Sequence, residues 1–357
     1  MFTRPRLQIN LKTIQENYLT LKEFVQPAKA ACVLKNNAYG LGIQPIGKVL
    51  YQAGCRTFFV AHGWEGAQLR PVVGKSRIFT LQGYGQEDET EFKQYQLTPV
   101  LPTTQSVYEW FKRPVNRLKP ALQVETGLNR LGIIYEDVFA LRHLSFSLIL
   151  SHLSCADDIK HPLNQIQLTN FQKFQSLFKN TPFSLSASDG LFLGNDFHFD
   201  MVRLGAALYG LNTAPHRAKQ VKNCLQLTAP ILQIKTVPVD KTIGYGATYT
   251  TTQPTKVATV SIGYADGIFR SFSPKGILHI EKDGQIFVAP IVGRVSMDNI
   301  TCDVTNIPDG VLEQTDFMTI ISDFYDADDF AHTAGTIGYE VLNNIGHSQR
   351  ILREYVE

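Results

Sequence analysis

Along the first two-thirds of the chain, apolar residues fall in short unbroken runs separated by stretches where they recur every three or four positions. The runs at 30–34, 57–60, 77–81, 97–100, 121–124, 147–153, 183–186 and 201–204 have strand length but not the alternation of a sheet with one wet face. Between them, segments such as 43–53 and 163–178 carry the helical period. Strands buried on both faces and separated by helices predict parallel pairing. Eight such units predict an α/β fold, a TIM-like (β/α)8 barrel over 1–218. Near Ala218 the pattern changes. The runs at 229–237, 255–262, 276–280, 285–291, 300–304 and 317–321 are rich in β-branched residues and spaced by turn signals, Lys282-Asp283-Gly284 and Pro308-Asp309-Gly310. They predict a mostly β domain over 219–357.

Composition narrows the function classes. The 357 residues are 44% hydrophobic and 18% charged, enough apolar material for a large core. A net charge of +2 without a lysine or arginine run gives sequence-independent binding to nucleic acid or to an anionic membrane no electrostatic basis. The five cysteines (Cys32, Cys55, Cys155, Cys224 and Cys302) are scattered and form no CxxC pair, which argues against a disulfide framework or a zinc site. The first ten residues contain no signal-like apolar stretch, and no run reaches the ~20 apolar residues that span a bilayer. A cytoplasmic protein is expected.

Candidate chemistry gathers where the expected barrel strands end, which is where barrel catalysis resides. Lys35 follows the first strand, and partial desolvation there would lower its pKa and fit it for imine chemistry. Arg130 stands among glycines after the fifth strand, His152 ends the sixth with Asp157 beyond it, Ser188 follows the seventh, and Arg203-Leu204-Gly205-Ala206 closes the eighth. No second histidine lies at metal-ligand spacing from His152, so no metal is expected.

The segment Val33-Leu34-Lys35-Asn36-Asn37-Ala38-Tyr39-Gly40-Leu41-Gly42 resembles the cofactor-lysine signature of the alanine racemase family, fold-type III pyridoxal-phosphate enzymes. The likeness continues in order through Glu125 to Gly132, His152 to Asp157, Phe199 to Gly205, Leu208-Tyr209-Gly210, Gly244 to Tyr249, Gly263 to Gly267, Gly293 to Asp298 and Gly335 to Leu342. It spans both domains. The resemblance implies racemisation of alanine, supplying D-alanine for bacterial peptidoglycan, with pyridoxal 5'-phosphate attached to Lys35. It assigns the phosphate to Tyr39, Ser188, Tyr339 and the backbone of Gly205 and Ala206, and the pyridine nitrogen to Arg203. Two bases on opposite faces, Lys35 and Tyr245, would move the proton; His152 would contact both Tyr245 and Arg203. Arg130 and the backbone at Met297 would bind the substrate carboxylate. Asp157, Tyr264, Arg270, Arg294, Tyr339 and Ile337 resemble an entry corridor. The family further implies a homodimer in which Tyr245, Tyr264 and Met297 serve the partner's site.

The sequence departs from the family pattern in places. Gln123 stands where many members carry a carbamylated lysine, so Arg130 must be steadied by a neutral amide or a bound anion. Glu125 replaces aspartate, Asn36 and Leu41 replace alanine and histidine, and Ala187-Ser188 replaces Asn-Ser. Two rivals share the barrel. A pyridoxal-phosphate decarboxylase would present an acid to the pyridine nitrogen and a cysteine on the opposing face, where this chain has Arg203 and Tyr245. A non-catalytic cofactor-binding barrel would lack the second domain.

Overall fold

The computed structural model describes residues 4–85, 87–113, 118–212 and 221–357. The chain divides into two units. One holds residues 14–38 and 42–222; the other takes in the chain up to Thr13, residues 39–41 and Asn223 onward. The expected boundary at 218/219 lies outside the described residues.

The first strand, β1 (Arg6–Asn10), corrects the expectation that residues 1–218 form the barrel. It pairs antiparallel with β10 (Leu225–Val237) and parallel with β18 (Leu352–Val356), inside the sheet of the second unit. Its alternation explains the placement: Leu7 and Ile9 are fully buried while Arg6, Gln8 and Asn10 are half-buried.

The barrel uses β2 (Lys29–Val33), β3 (Thr57–Val60), β4 (Arg77–Thr80), β5 (Leu97–Leu101), β6 (Ala121–Gln123), β7 (Leu148–Leu150), β8 (Phe183–Ser184) and β9 (Met201–Leu204). All eight expected strands are present. From β2 to β8 each pairs in parallel with the next, and β2 pairs with β9 from Lys29↔Met201 to Cys32↔Leu204. The ring closes between β8 and β9 through the Arg203 N–H donating to Ser186 O at 3.0 Å and the Asp200 N–H donating to Phe183 O at 3.1 Å.

The interior is packed by Ala31, Val33, Phe59, Phe79, Val100, Ala121, Leu148, Leu150 and Met201. Because side chains two apart share a face, each interior row can be continued by counting. Ala31 and Val33 lead to Lys35, Leu148 and Leu150 to His152, and Met201 to Arg203. The polar residues at the mouth are the next steps of the rows that fill the core.

The second unit is a mixed sheet in the order β15 (Gln285–Pro290), β14 (Ile277–Lys282), β17 (Phe317–Ile321), β10, β1, β18, with β13 (Thr255–Val260) joining β10 to β16 (Ile300–Asp303). A hairpin of β11 (Thr242–Ile243) and β12 (Tyr249–Thr250) adds a small separate sheet. Asp283 and Gly284 adopt φ 51° and 74°, the two-residue turn expected between β14 and β15. Pro308-Asp309-Gly310 instead opens the short helix Asp309–Leu312: Pro308 sits extended at its N-cap and Asp309 supplies the first-turn acid. Among the described residues no helix is long and apolar enough to cross a membrane.

Candidate active site

Arg203 is the centre of the barrel mouth. It is only 4% exposed, and its two terminal nitrogens donate to Ser184 O (2.8 Å), Ser184 Oγ (2.7 Å), Ser151 O (2.6 Å) and Leu185 O (3.1 Å). None of these acceptors is a carboxylate, and none of these bonds uses Nε–H. Burial pushes the guanidinium pKa down to about 10, which still leaves it cationic at neutral pH.

His152 Nδ1 stands 3.3 Å from Arg203 Nη2. Arginine only donates, so Nδ1 accepts and the imidazole proton sits on Nε2. Burial and the positive charges of Arg203, Arg130 and Lys35 push His152 down to about 3, so it is neutral at any working pH.

Lys35, open to solvent in the mouth, is lowered below the usual lysine range by partial burial and by Arg130, while Glu65 opposes the shift. Below it the chain makes a tight left-handed turn, with φ of 53°, 55°, 55° and 57° at Asn36, Asn37, Ala38 and Tyr39. Asparagine tolerates this region; Ala38 and Tyr39 must be held there. Asn37 Oδ1 accepts from the Ile43 N–H at 2.9 Å, and Asn37 O accepts from the Gly42 N–H at 2.9 Å. Glu65 is the residue that sequence reasoning missed. Its buried carboxylate accepts from the Asn37 N–H (3.3 Å), the Ala61 N–H (2.6 Å) and the His62 N–H (3.0 Å), joining the lysine turn to the start of helix Gly63–Val73. Its partners are backbone groups, so no motif marked it.

Arg130 sits exposed on a loop that its own neighbours close. Glu125 Oε1 accepts from the Gly127 and Leu128 N–H groups and Oε2 from Asn129 N–H. Gln123 Nε2 donates to Leu131 O at 3.1 Å, so a neutral amide does hold the backbone beside Arg130. Gly132, at φ 133°, is required: a Cβ there would lie 2.7 Å from the backbone of Val124 and Glu125. After β8, Ser188 Oγ accepts from the Gly205 N–H (2.9 Å) and the Ala207 N–H (3.3 Å), and its own proton remains available to donate. Ala206 is buried beside them, whereas Asp157 is exposed.

The β unit holds the remaining expected residues. Tyr39 and Tyr339 face each other with ring centroids 6.0 Å apart. Gly40 causes this, because a Cβ on it would meet Gly346 of helix Gly338–His347 at 2.8 Å. Tyr245 lies 72% exposed in the β11–β12 hairpin, and the Arg294 guanidinium lies against Gly246, with Nη1 3.0 Å from where a Cβ would be. Tyr264 N–H donates to Ser296 O and Ala265 N–H to Met297 O, both at 3.0 Å, which joins two loops that expose Tyr264 and Met297. Arg270 and Ile337 are also exposed.

A family model described as the alanine racemase N-terminal domain matches residues 9–213, and one described as the C-terminal domain matches 224–355. The chain belongs to the alanine racemase family. It is 40% identical over 361 residues to the alanine racemase of Rickettsia conorii, covering 98% of both chains. It is 37% identical to the catabolic alanine racemase of Agrobacterium fabrum, covering 98% of this chain and 92% of that one. In structure it is similar to the alanine racemase of Bartonella henselae with covalently bound pyridoxal phosphate, at TM-score 0.91, 32% identity and 99% coverage of each chain. The biosynthetic alanine racemase of Pseudomonas aeruginosa superposes equally well, at TM-score 0.91 and 27% identity over the whole of both chains. As a member of the alanine racemase family the chain is an isomerase, and the barrel and β unit match the family's two domains.

Proposed function

We propose that the chain interconverts L- and D-alanine with pyridoxal 5'-phosphate attached to Lys35, the D-alanine serving peptidoglycan. The observation that carries this reading is Arg203, a buried cation fixed entirely by neutral acceptors at the barrel mouth beside a neutral His152. The residues fit the cofactor. Lys35 offers a depressed amine, Ser188 a hydroxyl oriented by two accepted bonds, and Gly205 and Ala206 the backbone at the last strand end; Tyr39 and Tyr339 offer paired phenols. Such groups suit a phosphate, and Arg203 suits an unprotonated ring nitrogen. When bound, the cofactor supplies a conjugated ring that accepts the electron pair left when Cα–H is broken.

Lys35 Nζ would take or return the proton on one face and Tyr245 Oη on the other, each positioned base being worth about 10²–10⁴ in rate. With its proton on Nε2, His152 donates outward from Arg203 and can orient the phenolate form of Tyr245. Arg130 would hold the substrate carboxylate. Tyr245, Tyr264 and Met297 are exposed on their own subunit, at 72%, 45% and 52%, which supports their service in the site of a second copy. Asp157, Arg270, Arg294 and Ile337 would line the approach.

Mixing inactive Lys35→Ala and Tyr245→Phe subunits tests this reading. Random exchange makes half the dimers hybrids with one intact site, so activity should recover to about a quarter of wild type. No recovery under proven subunit exchange would refute the shared two-base site.

A further inference from the structure

The barrel rows that end in Lys35 and Arg203 also have a lower end. Counting down from Ala31 reaches Lys29, and counting down from Phe79 reaches Arg77, both inward by the same period of two. These strand starts open on a cavity of about 680 Å³. That is the size of a small-molecule site, and it lies at the face of the barrel opposite the catalytic mouth.

The wall of this cavity has two chemistries. Lys29, Arg56, Lys75 and Arg77 line its rim, while the half-buried Phe199 and the edge of Met201 form its apolar floor, above the fully buried Phe79 and Leu148 of the barrel core. The side chains of Lys29, Lys75 and Arg77 form no ion pair among the described residues. The Arg77 guanidinium lies over the Phe79 ring at 5.8 Å; Arg56 lies over the Tyr51 ring at 4.3 Å and donates from Nη1 to Tyr51 O and Cys55 O. The single acid at the wall, Asp200, already accepts from the Phe183 N–H at 2.8 Å. Four cations against one committed carboxylate, over an aromatic floor, form a positive well whose field the low-dielectric walls concentrate.

We propose that the lower mouth of the barrel is a second ligand site, for a small organic phosphate with a flat apolar body. The phosphate would sit among Lys29, Lys75 and Arg77, with Arg56 at the edge, and the apolar body would lie on Phe199 and Met201. Arginine and lysine around a phosphate give charge-assisted bonds, and burying an aryl body on the core adds affinity that inorganic phosphate cannot gain.

The test titrates the cofactor-loaded enzyme with phenyl phosphate and, separately, with inorganic phosphate, by calorimetry at low salt. Expected is one saturable site per chain, with phenyl phosphate binding about tenfold or more tighter than inorganic phosphate. Arg77→Gln and Lys29→Gln should each weaken phenyl phosphate about fivefold or more while leaving kcat and KM unchanged. Three results would overturn the proposal. One is the absence of saturable binding, which would make the cations a solvated rim. Another is equal affinity for the two anions, which would show the floor unused. The third is affinity unaltered in both variants, which would put the anion elsewhere.

Discussion

Replacing His152 by asparagine should remove a pH dependence of stability from the barrel unit. In the folded chain burial and the neighbouring cations hold this histidine at about 3, whereas in the unfolded chain it titrates near the ordinary value of 6.5. A depressed folded pKa means that its stability contribution is complete above pH 6.5 and is lost as pH falls toward 3, because only the unfolded chain takes up the proton. Between pH 7 and pH 5 the linkage amounts to about 2 kcal/mol. Any folded value below about 4 gives nearly the same figure, so the partial exposure of the ring does not change the expectation. Asparagine keeps a neutral acceptor for Arg203 Nη2 and cannot be charged. Urea unfolding followed by tryptophan emission is the assay, because both tryptophans, Trp64 and Trp110, belong to the barrel unit and Trp110 is buried. In cofactor-free protein, wild type should lose about 2 kcal/mol more than His152→Asn between pH 7 and pH 5. With m of roughly 2–3 kcal/mol/M, that is an extra midpoint shift of about 0.7–1 M. His279, also lowered by burial, is common to both proteins and cancels. Parallel losses in the two proteins would show that His152 is not held neutral and would refute the electrostatic account of the mouth.

Two further substitutions test how the backbone serves the site. Gly132→Ala puts a Cβ about 2.7 Å from the backbone of Val124 and Glu125 at a φ of 133°. It should cost about 2 kcal/mol or more and raise KM for alanine well beyond its effect on kcat, because the strain falls on the loop holding Arg130; an unchanged KM would separate the loop from substrate binding. Ser188→Ala strips the acceptor from the Gly205 and Ala207 N–H groups and removes one donor, so cofactor affinity should fall about tenfold in a spectrophotometric titration. Affinity equal to wild type would take Ser188 out of the anion cradle.

The barrel was legible because strands covered on both faces leave unbroken apolar runs, a signal that needs no knowledge of the partner strand. The strand Arg6–Asn10 was not. Its five residues do alternate, but its partners lie at 225–228 and 352–356, and nothing local says whether a short alternating strand at the chain start joins the domain beside it or one two hundred residues away. The site divides on similar physical lines. Lys35, His152 and Arg203 could be placed because each stands at the end of an apolar strand run, and the fold shows each continuing an interior row by the period of two. Glu65 could not, since it acts through three backbone N–H groups that become neighbours only in the folded chain. Gln123 falls between these cases. Its identity left a neutral amide or a bound anion to steady Arg130, and only the fold shows that the amide donates to the carbonyl of Leu131. The same period, counted toward the strand starts, places Lys29 and Arg77 inward at the lower mouth. Taken singly these residues read as ordinary solvated cations, and their convergence on one cavity depends on barrel closure, which brings Met201 beside Lys29.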